Sequence, residues 1–393
     1  MYVITNGKIV TQAGVVEHHS ILIENEKIID IRKDSALPKK DCNLIVIDAR
    51  GGWIMPGFVD LHSDYIEKIA APRPTSLIDF ELALYEAERE LLTHGITTMF
   101  HSLSLSGKTV FKENPIRSSD NVIRLLDLIS ESNHKAHLIH HRMHLRYEID
   151  NFSQLELVKS LLKTGKIQLF SLMDHTPGQG QYRDLETYRL ILAGYHDGDT
   201  QKTNHILANA MTAEKLTLED LTELAAIAHE NEIPVASHDD DSLEKLDIVE
   251  QLNSCISEFP ITLEIAVEAK ARGLSTVGGA PNVLLGKSHA GNLSVKEAVK
   301  VNLIDILCSD YYPAAMLHAV FTLWKEGIVE LHEAVKLVSE NPAKAVGIDH
   351  EVGSITTGKM ADLLIVDYAG NKIPVVTHTF VKGVLVNETT YRI

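Results

Sequence analysis

Cysteine is scarce in this 393-residue chain: Cys42, Cys255 and Cys308 stand alone, with no CxxC pair. An odd, scattered set supplies no disulfide framework and fits a reducing compartment. Long apolar runs are also missing, since none approaches the roughly 18 residues that a membrane-spanning helix needs. The opening Met1-Tyr2-Val3-Ile4-Thr5-Asn6-Gly7 lacks the basic segment and apolar stretch of a signal peptide. A cytoplasmic protein with no membrane partner is therefore expected. Positive charge is in deficit, with 37 Lys and Arg against 54 Asp and Glu and a net charge of −17. That balance excludes a general nucleic-acid-binding surface, although a local basic pocket for an anionic ligand remains compatible with it. Low-complexity segments and short-period repeats are absent too. An apolar content of 45% is enough to fill one large domain or two smaller cores.

What is present falls into two patterns. Both ends of the chain are rich in short β-prone runs separated by Gly, Asn or charged residues: Tyr2-Ile4, Lys8-Val10, Ile21-Ile23, Lys27-Ile31 and Leu44-Asp48, then Leu363-Asp367, Val375-Val381 and Val384-Val386. The two ends are expected to pair into one small β-sandwich, with the middle of the chain inserted between them. In that middle, apolar runs at Ile96-Phe100, Ala136-His140, Ile167-Met173, Ile233-Ser237, Ile256-Phe259, Thr276-Gly279 and Ile304-Cys308 alternate with helix-period stretches such as Phe80-Thr93 and Leu218-Asn231. With the strand before His62 there are eight candidates, which favours an α/β fold of the (β/α)8 TIM-barrel type over an open sheet. The expected division is 1–54 and 346–393 for the sandwich and 55–345 for the barrel.

In such a barrel the reactive groups lie at the C-terminal ends of the strands. The run Met55-Pro56-Gly57-Phe58-Val59-Asp60-Leu61 ends in His62-Ser63-Asp64. Residues i and i+2 of a strand share a face, so His62 and Asp64 can converge on one cation. Later runs end similarly, in His140-His141-Arg142-Met143-His144-Leu145-Arg146-Tyr147-Glu148, Met173-Asp174-His175, Ser237-His238-Asp239-Asp240-Asp241 and Cys308-Ser309-Asp310. Each histidine alone is more simply a satisfied core or surface residue. Their recurrence at successive strand ends points instead to a divalent metal centre of one or two ions. Imidazole and carboxylate donors suit zinc, and also manganese or iron. Asp310 can both bind metal and carry the catalytic proton.

These residues resemble the amidohydrolase superfamily, in which a metal-binding barrel is flanked by a sandwich built from both chain ends. The Met55–His62 segment and the tail Asn341-Pro342-Ala343-Lys344-Ala345 through Gly358-Lys359-Met360-Ala361-Asp362-Leu363 carry the likeness. Most members open with His-x-His and use a carboxylated lysine as bridge; this chain has His-x-Asp and no lysine at the end of the fourth strand. The likeness therefore assigns the bridge to Glu148, and the metal set to His62, Asp64, Glu148, His175, His238 and Asp310. Ala71-Pro72-Arg73-Pro74, Ser171–Gln179, Ser257-Glu258-Phe259-Pro260 and Ser309-Asp310-Tyr311-Tyr312-Pro313 are similar to a narrower branch. That branch comprises the diphosphatases acting on α-D-ribose 1-methylphosphonate 5-triphosphate in the carbon–phosphorus lyase pathway. It implies a small phosphorylated sugar phosphonate as partner and leaves assembly into a homo-oligomer open.

A triphosphate needs cations, and Arg73, Arg146 and Lys287 are the expected phosphate ligands. His289 is expected to donate to a phosphoryl oxygen or the leaving group. The glycines of Gly278-Gly279-Ala280 and Gly286–Gly291 are expected to form a phosphate-facing loop after the seventh strand. Glu258 is left outside the ligand set. Two other readings fit part of the pattern: a C–N hydrolase of the cyclic amidase or deaminase kind, and a non-catalytic metal- or ligand-binding barrel.

Overall fold

The computed structural model describes residues 1–393 except 37–43, 74, 106–114, 181–184, 196–199, 287–291, 371 and 392–393. Eight parallel strands lie side by side in chain order: Phe58–Ser63, Ile96–Leu105, His140–Glu148, Leu169–Met173, Val235–His238, Ile256–Glu258, Ser275–Gly279 and Ile306–Cys308. They are the first to eighth barrel strands below. The eighth meets the first through a parallel bridge between Ser63 and Asp310. There Asp310 N–H donates to the His62 carbonyl at 3.0 Å and Asp64 N–H to the Asp310 carbonyl at 3.3 Å. The sheet is thus closed into a barrel, with no free edge at the place where the two ends of the site meet.

Parallel neighbours require crossovers, and helices such as Phe80–Thr93, Ser119–Ser132, Leu155–Leu162, Leu218–Glu230, Leu243–Gln251 and Leu263–Ala271 supply them. Their apolar faces cover the outside of the wall. Local sequence fixes their starts: Asp79 accepts from Leu82 N–H, and Thr217 and Asp220 form a reciprocal capping box.

The third strand is displaced from the expected Ala136–His140 to His140–Glu148. In this strand Met143, Leu145 and Tyr147 join the core shared with the helices. The alternating His144, Arg146 and Glu148 are left to the barrel interior. A strand with polar groups on its inner face reads as a loop when only apolar runs are counted. The Gly-rich loop also differs from expectation. Gly278 and Gly279 finish the seventh strand, and Ala280–Leu285 is a short helix. A Cβ on Gly278 would lie 2.9 Å from both methyl carbons of Val295, so close packing of the following helix demands the glycine.

Two further sheets flank the barrel. One has the order Lys27–Lys33, His19–Glu24, Tyr2–Thr5, Ile45–Asp48; the other runs Val384–Glu388, Ile373–Val381, Leu363–Ala369, Trp53–Pro56, Lys8–Thr11, Gly14–Val16. The chain ends meet where Leu363–Val366 pairs antiparallel with Trp53–Pro56. Ile4, Ile9, Ile21, Ile23, Ile28, Ile54, Leu363, Ile365 and Phe380 form the core between the sheets. Trp53–Pro56 runs directly into the first barrel strand, so this sandwich anchors the segment that carries His62.

Candidate metal centre

The histidines and carboxylates of the mouth come from six strand ends, Asp310 following the eighth. His62 leaves the first strand, Glu148 the third, His175 follows the fourth, His238 ends the fifth and Glu258 the sixth. His62 Nδ1 lies 2.8 Å from Glu258 Oε1. A bond between the first and sixth strands must cross the interior, which fixes the direction of both side chains. Three residues just past strand ends take left-handed backbone: Asp239 at φ 54°, Phe259 at φ 57° and Asp310 at φ 54°. Aspartate tolerates that region, but a phenylalanine there is strained. The strain has a use, since the Phe259 ring packs edge-on against His62 at 5.0 Å and against His238 at 5.2 Å.

The donors form two adjoining triads. His62, His144 and Glu258 each offer an atom within 4.8 Å of the others, and so do His175, His238 and Asp239. The His62 and His238 rings are 5.4 Å apart and join the triads into one centre. In the first, Ser171 Oγ donates to Glu258 Oε2 at 2.7 Å and contacts His144 Nε2 at 2.5 Å. In the second, His175 Nδ1 meets Glu148 Oε1 at 2.5 Å, His175 Nε2 is 3.8 Å from Asp239 Oδ2, and His238 Nδ1 is 3.2 Å from that oxygen. Arg146 Nη2 lies 3.2 Å from His238 Nε2. A guanidinium only donates, so His238 Nε2 is the unprotonated nitrogen.

Charge is distributed to match. Burial opposes ionisation of Glu258, yet His62 and His144 hold its carboxyl well below the usual range. Burial likewise opposes Asp239, but His238 and His175 outweigh it and bring it to about 2. Burial drives His144 down to about 3 and also lowers His238, keeping both imidazoles neutral, the form that binds metal. For His175 burial acts downward, while Glu148 and Asp239 raise it overall. Asp60, beneath His62, is pushed up to about 6 by burial despite accepting N–H bonds from Ser309 at 3.0 Å and His62 at 3.4 Å.

The donor set fits a divalent cation. Asp64 Oδ1 is a buried side-chain oxygen without a hydrogen bond, and Asp239 Oδ2 faces His238 Nδ1 at 3.2 Å and His175 Nε2 at 3.8 Å. Buried polar atoms of this kind cost free energy unless something pairs with them, and a cation does so. Imidazole and carboxylate are the donors zinc, manganese and iron accept.

The structure gathers His62, Glu148, His175 and His238, and joins Asp64 and Asp310 to the His62 segment through backbone bonds. Arg146 is 9% exposed and inside the centre. Arg73 stays outside it, exposed in a turn closed by Ser76 N–H on the Arg73 carbonyl at 3.0 Å. Lys287 and His289 lie outside the described residues.

Three residues at the centre, His144, Asp239 and Glu258, stand in the strand-end segments of the sequence but outside its expected ligand set, and Arg117 is not singled out by the sequence. His144 carried a signal in the period-two alternation with Arg146 and Glu148. Asp239 adjoined His238, and Glu258 closed an apolar run. Arg117 carried none, because it follows the second strand at a distance. Its Nε donates to both Glu67 oxygens, at 3.1 and 2.9 Å. Burial disfavours that charge, and Glu67, Asp64 and Glu148 together sustain it.

Comparison with known proteins assigns the chain to a family. A profile of the amidohydrolase family matches residues 72–387. The chain belongs to the amidohydrolase family. Among curated relatives, it is 32% identical over 376 residues to the α-D-ribose 1-methylphosphonate 5-triphosphate diphosphatase of Escherichia coli strain K12, covering 94% of this chain and 96% of that one. It is 22% identical over 419 residues to the dihydroorotase of Elusimicrobium minutum strain Pei191, covering 93% and 88%. In fold, this amidohydrolase superposes on N-acetylglucosamine-6-phosphate deacetylase from Pasteurella multocida with a TM-score of 0.63 at 13% identity, covering 98% and 100% of the chains. It superposes on 5-methylcytosine deaminase from Klebsiella pneumoniae with a TM-score of 0.65 at 15% identity, covering 100% and 99%. Among the described residues of this amidohydrolase, no helix is long and apolar enough to cross a membrane.

Proposed function

We propose that this amidohydrolase is a metal-dependent diphosphatase converting α-D-ribose 1-methylphosphonate 5-triphosphate and water into the 5-phosphate and diphosphate. The observation that carries this reading is a buried guanidinium, Arg146 against His238, with the half-buried Arg117 paired to Glu67 and close enough to Asp64 and Glu148 to feel their charge, at a histidine–carboxylate centre. Hydrolysis of a cyclic amide such as dihydroorotate calls for at most one cation to meet a single carboxylate, whereas a triphosphate brings several negative charges. The full-length likeness to the Escherichia coli diphosphatase supports the same substrate.

His62, Asp64, Glu148, His175, His238 and Asp310 would hold one or two divalent ions, zinc by preference, with Asp239 completing the second triad. A bound divalent ion there supplies charge neutralisation and activates water for displacement at phosphorus. Glu258 orients His62 by taking its Nδ1, which leaves Nε2 for the metal. Arg146 releases His238 Nε2 and turns to the phosphoryl oxygens, and Arg117 holds a neighbouring oxygen, both stabilising charge that grows in the transition state. Asp310 accepts the proton of the attacking water. One phosphoanhydride bond, between the α- and β-phosphoryl groups, is broken and one water is consumed. We assign the protein to the cytoplasm, with Lys287, His289 and Arg73 as further phosphate contacts.

The test is product analysis by phosphorus NMR after incubation of metal-loaded protein with the ribose 5-triphosphate. Diphosphate and the 5-phosphate in equal amounts are expected. An unchanged triphosphate, together with ring opening of dihydroorotate or a related cyclic amide, would replace this reading with the C–N hydrolase one.

A further inference from the structure

A second group of metal-capable side chains lies at the other end of the third strand. Glu88 comes from the helix Phe80–Thr93, His137 from the segment before the strand, and His141 from the strand's second residue. Seven residues separate His141 from Glu148, which at about 3.3 Å per residue puts this group on the order of 20 Å from the catalytic mouth. Glu88 Oε2 lies 3.0 Å from His141 Nε2 and 3.1 Å from His137 Nδ1. All three donor atoms fall within 4.8 Å of one another. The side chains of Glu88, His137 and His141 are 2%, 6% and 0% exposed.

We propose that Glu88, His137 and His141 form a structural site for a transition-metal dication of the zinc class, separate from the catalytic centre. Each donor is held in place by a further contact. Leu138 N–H donates to Glu88 Oε2 at 2.8 Å. His101 Nε2 meets His141 Nδ1 at 2.8 Å, the outer partner that fixes a ligating imidazole's tautomer. Tyr85 stacks on His137 at 4.5 Å and 14°, and the His141 ring stands edge-on to His137 at 5.0 Å. Bonds of about 2.0–2.1 Å at tetrahedral angles separate donor atoms by about 3.3 Å. The two short separations therefore open by only a few tenths of an ångström on binding. Three protein donors leave a fourth position for water. Neutral imidazoles are favoured here, since burial lowers both His101 and His141. The bound metal clamps the helix Phe80–Thr93 to the start of the third strand.

The experiment is elemental analysis of protein stripped by chelator, reloaded with zinc and freed of excess, for the wild type, His137→Ala and His238→Ala. His137→Ala is expected to bind one zinc fewer per chain than the wild type while keeping its diphosphate-releasing rate. His238→Ala is expected to lose zinc from the mouth and to retain the Glu88 site. Zinc-edge anomalous diffraction from wild-type crystals gives an independent readout if His137→Ala does not fold. A peak between Glu88, His137 and His141 is the expected result. Equal stoichiometry in wild type and His137→Ala, or no peak there in zinc-saturated crystals, overturns the proposal. The metal stoichiometry and the anomalous peak do not depend on the substrate, so failure of the diphosphatase reading would be seen separately.

Discussion

The flanking sandwich and the barrel mouth are both tightly buried, yet they bury opposite chemistry. Between the two sheets lie Ile4, Ile9, Ile21, Ile23, Ile28, Ile54 and Phe380, side chains whose removal from water favours folding. At the mouth, His62, His144, Arg146, His238, Asp239 and Glu258 are equally hidden. There desolvation acts against the fold, and hydrogen bonds and opposite charges only partly offset it. Asp64 Oδ1, buried without a hydrogen bond, marks where that compensation is incomplete. The sandwich supplies stability and holds the first strand; the mouth spends some of it to keep donors aimed at one point.

Substitutions break this contrast in a definite order. His238→Ala should have the largest effect, a fall in kcat on the order of a thousandfold with loss of mouth metal, since a metal contributes several kcal/mol to transition-state charge. Steady-state kinetics with metal analysis checks it, and wild-type turnover would remove His238 from the site. Ile23→Ala should cost about 2–5 kcal/mol of stability through an unfilled cavity, with kcat per folded molecule unchanged. Denaturant unfolding alongside kinetics separates the two quantities; a matched fall in kcat would mean that the sandwich takes part in catalysis. Glu258→Gln should be mildest, weakening mouth metal affinity about 10–100-fold, as loss of an orienting partner does. A metal titration reads this directly. Loss of one whole equivalent would make Glu258 a ligand itself.

The same contrast explains what could be read from the residues. The helix Phe80–Thr93 was legible from its apolar period, and the strands of both chain ends as short β-prone runs cut by Gly, Asn and charged residues. His62, His175 and His238 were legible because each ends or follows an apolar run. The third strand was misplaced because its interior face carries His144, Arg146 and Glu148, so periodicity without hydrophobicity had to be recognised. Glu258 was legible at the end of the sixth strand but outside the ligand set, and its 2.8 Å approach to His62 across the barrel could not be read from the residues. Arg117 could not be foreseen, because its nearness to Asp64 and Glu148 arises only when the barrel closes.

The most direct measurement is diphosphate release from the ribose 5-triphosphate by metal-stripped protein as zinc is added back. The account predicts negligible release from the stripped protein, a rise with bound metal, and reversal by chelator. Full-rate release from protein verified to be metal-free would contradict it.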